Sequence, residues 1–222
     1  MLRLRSALLA EFVGTAFLLA AVVGSGIMAE RLSEDVGLQL FQNAFATAGM
    51  LVALILAFGG ASGAHFNPVV TFAARWFGDL DTPTAVGYVM AQLGGGIVGV
   101  MAANVMFDLD AVNWSTRDRS SPNLVIAEVV ATIGLLVIIF GTVRSGRGDT
   151  APYAVGGYIA SAYYFTSSTS FANPAVTVAR TLSDTFAGIG PASAPAFLAA
   201  QIAGAAAAII VITSIYPRPK TP

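Results

Sequence analysis

The chain has 222 residues, 56% of them hydrophobic and only 10% charged, with a formal net charge of −1 and a mean hydropathy of +0.75. So apolar a composition excludes an ordinary water-soluble domain, and cations so few and scattered exclude a nucleic-acid footprint, which leaves a lipid bilayer as the expected solvent. The absence of cysteine excludes structural disulfides, thiolate metal sites and thiol catalysis.

Taken in chain order, apolar stretches long enough for about 30 Å of hydrocarbon run from Ser6 to Met28, Val36 to Phe58, Thr84 to Phe107, Pro122 to Val143, Ala151 to Thr166 and Ala194 to Tyr216. The first is longer than a signal peptide's apolar region and lacks a cleavage pattern, so it is expected to remain as a span. After the second, Gly59 to Phe66 is too rich in Gly and Ser for a helix, and the word Asn67-Pro68-Val69-Val70-Thr71 follows. The fifth is short and polar towards its end, as suits a helix feeding an intramembrane loop; Ser167 to Ala172 and a second word, Asn173-Pro174-Ala175-Val176-Thr177, come next. Six spans with alternating loops put Arg3, Arg5, Arg75, Arg144, Arg147, Arg218 and Lys220 on one side and Arg31, Arg117, Arg119 and Arg180 on the other. The positive-inside rule then places both termini in the cytoplasm, as expected for a multi-pass protein of the plasma (inner) membrane.

Asparagine is a preferred N-cap and proline a preferred first helical residue, so each word is expected to open a short helix, the Asn oxygen bonded to its own backbone and the amide N–H groups free. Two helix starts meeting inside a membrane carry the positive ends of two macrodipoles, a donor-rich spot that repels cations. Non-helical backbone at that depth is tolerated where it lines a cavity, which predicts walls of carbonyls from Gly63, Ala64, His65 and Phe66 and from Thr169, Ser170, Phe171 and Ala172.

The halves echo one another beyond these words. Glu11-x-x-Gly14-Thr15 returns as Glu128-x-x-Ala131-Thr132, and Ala91-Gln92-Leu93-Gly94 as Ala200-Gln201-Ile202-Ala203. One channel domain over residues 1–222 with repeats at about 6–107 and 122–216 is expected. Three spans per half force the second copy to insert upside down, so the two Asn meet at mid-membrane. Small residues at Gly94, Gly95, Gly96, Gly99 and Gly204 to Ala207 are expected to let the third and sixth spans pack closely.

With Ser62-Gly63-Ala64-His65-Phe66-Asn67-Pro68, Asn173-Pro174-Ala175 and the paired Glu-x-x-Gly/Ala-Thr openings, the chain resembles the aquaporin, or major intrinsic protein, family over nearly its whole length. The resemblance implies an all-α membrane fold of six spans plus two re-entrant half-helices. It also implies passive conduction and a homotetramer with one pore per subunit, in which Asn67 and Asn173 donate to the passing solute. Val69 stands where the family usually has Ala. Val176 stands where water and glycerol channels usually place the arginine of the outer filter, and its partners by position are Thr47, Ser161 and Ser170. This quartet is expected to be wide and uncharged, similar to that of bacterial channels associated with arsenic handling. Water, glycerol-like polyols and neutral hydroxides such as arsenous acid are the expected cargo, with the lipid bilayer as the other partner and no nucleic acid.

Other residues have two readings. Arg180, one turn beyond Val176, either supplies charge at the outer mouth or, the favoured alternative, snorkels to the interface or pairs with Asp184. Glu11 and Glu128 are intramembrane acids that brace the loops or, in a rival ion- or proton-coupled secondary transporter, serve as coupling sites. His65 either titrates at the inner mouth or holds loop geometry. Trp76, Tyr88, Tyr163, Tyr164 and Tyr216 are expected as interfacial anchors, and the close acidic pairs Asp79/Asp81 and Asp108/Asp110 as solvated loops rather than a metal site. No nucleophile-base constellation, phosphate loop or cofactor motif is present, so neither an enzyme nor a cofactor is expected. A membrane protein with a vestigial pore is the remaining alternative.

Overall fold

A computed structural model describes residues 2–217, which leaves Arg218 and Lys220 of the charge comparison outside the described residues. Every regular element among the described residues is helical: α1 (Leu2–Leu32), α2 (Val36–Ser62), α3 (Pro68–Phe77), α4 (Thr82–Met106), α5 (Pro122–Arg144), α6 (Ala151–Phe165), α7 (Pro174–Ala179) and α8 (Ala194–Ile215). Helix α1, α2, α4, α5 and α8 are each long and apolar enough to cross a membrane. The sixth crossing is α6, whose 15 residues rise about 22 Å; an irregular segment after it leads back to α7.

The second span does not stop at Phe58. Helix α2 continues through Gly59–Ser62 and closes on Gly63, which has φ 86° and donates its N–H to the Gly59 carbonyl. In hydrocarbon each added helical residue satisfies a backbone pair that a loop would leave open, which outweighs the poor intrinsic propensity of two glycines. The irregular segment is therefore only residues 63–66.

The packing repeats in pairs: α1 lies along α4 as α5 lies along α8, and α2 lies along α6. Close approach explains the glycines of α4. A Cβ on Gly95 would collide with the Phe12 carbonyl, and one on Gly99 with that of Ala16, so the α1–α4 contact is backbone on backbone. The half-helices α3 and α7 are held between these pairs, α3 against α4 and α8 and α7 against α4 and α8. One face of the molecule carries the ends of α5 and α8, joined by Arg144 Nη1 donating to the Tyr216 carbonyl at 2.9 Å. The opposite face carries the end of α1, where Glu30 pairs with Arg117 at 2.9 Å and accepts the Phe186 N–H at 3.0 Å.

Candidate functional site

Both Asn-Pro words cap helices. Asn67 Oδ1 accepts the Val69 N–H at 3.0 Å, and Asn173 Oδ1 accepts the N–H groups of Ala175 at 3.0 Å and Val176 at 3.3 Å. The amides are not wholly free. Asn67 Nδ2 donates to the Ala172 carbonyl and Asn173 Nδ2 to the Phe66 carbonyl, both at 2.8 Å. An amide NH2 has two N–H groups, so each Asn spends one across the repeat and keeps one for the space beside it. The cross-bonds lock the two re-entrant segments together at the helix starts.

The chain enters each cap through left-handed backbone. Ala64 (φ 51°) and Phe66 (φ 47°) are matched by Ser170 (φ 54°) and Ala172 (φ 46°), with Thr169 (φ 63°) in the place of Gly63. Each such non-glycine residue costs roughly 1–2 kcal/mol, so something must hold them. Glu11 does so in the first half, with Oε1 accepting from His65 N at 3.0 Å and Ser62 Oγ at 2.6 Å, and Oε2 from Phe66 N at 2.8 Å and Gln92 Nε2 at 2.7 Å. Glu128 does so in the second, accepting Phe171 N and Ala172 N at 2.9 Å and Gln201 Nε2 at 2.6 Å. Both acids are fully buried. The glutamines also donate to Thr71 Oγ1 at 2.9 Å and Thr177 Oγ1 at 2.8 Å, tying each loop to its half-helix. His65 Nδ1 lies 3.1 Å from Thr71 Oγ1, and its ring meets Tyr88 edge-on at 5.4 Å.

A single cavity of about 490 Å³ passes these groups. Its lining includes Asp79, Gly148 and Asp149, on the side where α3 and α5 end, Asn67 and Asn173 at the half-helix starts, and Thr47, Tyr163 and Arg180, the last beside Arg119 on the side where α5 begins. Gly63, Ala64, His65, Phe66, Ser170 and Phe171 also line it, whereas Thr169 and Ala172 do not. The carbonyls of Phe66 and Ala172 accept Asn amides, so the acceptor walls are shorter than the sequence suggested.

Three of the four expected filter positions, Thr47, Ser170 and Val176, line the cavity. Ser161 does not. It is exposed on the outer side of α6 and its hydroxyl returns to the Gly157 carbonyl at 2.9 Å. Ile159 and Tyr163, one turn apart, hold the cavity face of α6, and a residue midway between them points the opposite way. Tyr163 takes the place meant for Ser161, its hydroxyl 3.1 Å from Thr47 Oγ1.

Tyr163 is thus no interfacial anchor, and neither is Tyr88, which is buried and donates to the Ser62 carbonyl at 2.8 Å. Trp76 and Tyr164 are exposed, as an anchor must be.

Arg180 neither snorkels nor pairs with Asp184. It is 3% exposed, its Nε donates to the Ala187 carbonyl, and its Cζ stacks 3.4 Å from the centroid of the Phe171 ring. Asp184 is engaged instead by the N–H and hydroxyl of Thr116, at 2.8 and 3.0 Å. Sequence reasoning passed over Arg119. It lies in the loop before α5, with Nε donating to the Gly188 carbonyl at 2.9 Å and its Cζ 5.0 Å from the same Phe171 ring.

Comparison with known proteins matches residues 2–170 to the family described as major intrinsic protein. The aquaglyceroporin AqpS of Rhizobium meliloti (strain 1021) is 44% identical over 203 residues, 91% of this chain and 87% of that protein. Aquaporin TIP1-2 of Musa acuminata is 32% identical over 166 residues, 67% of this chain and 62% of that protein. Among solved structures, the aquaglyceroporin from Plasmodium falciparum superposes with a TM-score of 0.76 over 96% of both chains, at 18% identity.

Proposed function

This chain belongs to the major intrinsic protein family, and we infer that it is a passive channel for water, glycerol-like polyols and other small uncharged solutes. The observation that carries this is a cavity lined by both Asn caps, by Asp79 beyond the end of α3 and by Arg180 beyond the end of α7. A hydroxyl-bearing solute finds donors at mid-path, in the spare N–H of Asn67 and of Asn173, and acceptors along the walls. A cation there meets the positive ends of α3 and α7, with no carboxylate lining the middle. Because one chain lines the whole cavity, each subunit of the proposed homotetramer has its own pore.

Thr47, Tyr163, Ser170 and Val176 set the upper size limit in this reading, and Glu11 and Glu128 brace the loops. Both acids already accept several hydrogen bonds, which leaves them poorly placed to exchange protons with a coupled solute. The two repeats, about 6–107 and 122–216, make one channel domain, with both termini cytoplasmic and the Arg180 mouth outside. The protein is an integral, multi-pass membrane protein; its placement in the plasma membrane follows the charge bias. Neither catalysis nor a cofactor enters. Neutral metalloid hydroxides such as arsenous acid have the size and hydroxyl pattern of glycerol and are included among the solutes.

An osmotic-shock panel on reconstituted vesicles tests this, comparing water, glycerol, urea and arsenous acid. Non-saturating glycerol flux above that of empty vesicles, independent of a pH gradient, is expected. Negligible flux of every neutral solute from folded protein points to a vestigial pore, and saturable uptake driven by a pH gradient points to a transporter.

A further inference from the structure

Two guanidiniums share one aromatic ring beside the cavity, and neither is in an ion pair. Arg180 Cζ lies 3.4 Å and Arg119 Cζ 5.0 Å from the Phe171 centroid. Among the described residues the one ion pair is Arg117 with Glu30. Two acids of the neighbouring loops are engaged elsewhere, Asp184 by Thr116 and Asp118 by Ser120 N and Ser193 Oγ. Arg180 uses only its Nε, on the Ala187 carbonyl, so its two terminal nitrogens remain as donors at the cavity wall. Ser170, which also lines the cavity, is 4% exposed and its hydroxyl has no partner within the protein.

The one carboxylate among the described residues whose charge reaches both guanidiniums is Glu128, and it is taken up by Phe171 N, Ala172 N and Gln201 Nε2. A buried charge without a hydrogen-bonded counter-charge is costly, and two like charges on one ring compound the cost. Backbone carbonyls at Ala187, Gly188 and Ser168 supply partial compensation only. A planar guanidinium edge with spare N–H groups, an unpartnered hydroxyl in the same cavity lining and a second cation behind make a donor set that fits a carboxylate or similar oxyanion.

We propose that Arg180, backed by Arg119 on the Phe171 ring and completed by the Ser170 hydroxyl, forms a binding site for a small oxyacid anion in the Arg180 mouth of the cavity. An anion held there occupies the path of neutral solutes and slows them. The site stands on the cavity geometry; it rests on the channel reading only where flux is measured.

Formate is the probe, exchanged against gluconate at constant sodium and pH, with formamide as the uncharged match in shape. Two quantities are read: the thermal midpoint of the detergent-solubilised protein, which reports binding, and glycerol flux in vesicles, which reports occupancy of the path. Formate is expected to raise the midpoint saturably and to inhibit glycerol flux, while formamide does neither. Arg180→Gln and Ser170→Ala should each raise the half-saturating formate concentration, Arg180→Gln by about tenfold or more as a charge-assisted hydrogen bond is lost. Arg119→Gln should raise it less. Should Arg180→Gln fail to fold, Ser170→Ala, which removes one oxygen, carries the test. A midpoint identical in formate and gluconate, or a formate response unchanged in both variants, overturns the site. Loss of the formate response with glycerol flux intact sinks this proposal alone; an intact response with no glycerol flux sinks the channel reading alone.

Discussion

The hydroxyl of Tyr163 lies 3.1 Å from Thr47 Oγ1, across the cavity-facing sides of α6 and α2. Both side chains are buried and both line the cavity near Arg180. On the proposed reading this pair is a polar strip in the narrow outer part, one hydroxyl free to turn to the solute as the other holds it. Tyr163→Phe leaves the ring in place and removes the oxygen. Loss of one neutral hydrogen bond is worth about 1 kcal/mol, so glycerol flux in vesicles is expected to fall about fivefold with water flux little changed. Equal flux of glycerol in both proteins would remove Tyr163 from the filter.

Val176 sits one helical turn before Arg180 and faces the same cavity. Val176→Arg adds a long side chain and a second charge where the wall is now aliphatic. Glycerol and arsenous acid flux are expected to fall about tenfold or more, the effect of about 1.4 kcal/mol on a barrier, and water flux by less. Stopped-flow measurements on one vesicle preparation compare the three solutes. Equal loss for all of them would count against a size filter at this position.

What could be read in the sequence was local or repeated. The Asn-Pro words declare themselves because capping is a property of a few consecutive residues, and Glu11 and Glu128 because each recurs at the same place in its half. Rotation about a helix axis was harder. In an apolar helix such as α6 both faces are hydrophobic, so no amphipathic stripe separates Ser161 from Tyr163, and the spacing carried from the family chose Ser161, which does not line the cavity, over Tyr163, which does. Only the step from Val155 and Ile159 to Tyr163 pointed the right way. Arg119 lies in a loop, where no period exists to say what it touches. The course of Arg180 depends on the carbonyl of Ala187 and the ring of Phe171, contacts that no spacing encodes.

Glu128 accepts two backbone N–H groups and one Gln201 N–H. Glu128→Gln keeps the shape, yet replaces an acceptor of two oxygens with one oxygen and one donor aimed at backbone N–H. At least one of Phe171 N and Ala172 N is then left unpaired in the membrane interior. An unsatisfied buried group costs about 1–3 kcal/mol, and the left-handed conformations of Ser170 and Ala172 lose their restraint. A markedly lower thermal midpoint and lower flux of all neutral solutes together are expected. A variant with unchanged midpoint and a selective loss of pH-gradient-driven uptake would instead mark Glu128 as a coupling site.

Gly14 of α1 faces the Phe66 ring so closely that a Cβ there would overlap its Cε1, Cζ and Cδ1 atoms. Phe66 is 1% exposed, so the ring has nowhere to move without dragging the carbonyl that accepts Asn173 Nδ2. The matching position in the second half is Ala131, in one buried cluster with Ala172, the smaller counterpart of Phe66. The two positions should therefore respond unequally to the same one-carbon change. Gly14→Ala overpacks a tight contact at about 1–3 kcal/mol, lowering the thermal midpoint and, by displacing the Phe66 carbonyl, the flux of glycerol. Ala131→Gly deletes a single methyl and is expected to change flux little. Equal, small effects from both substitutions would show that the Phe66 ring can shift without disturbing the cross-bond to Asn173.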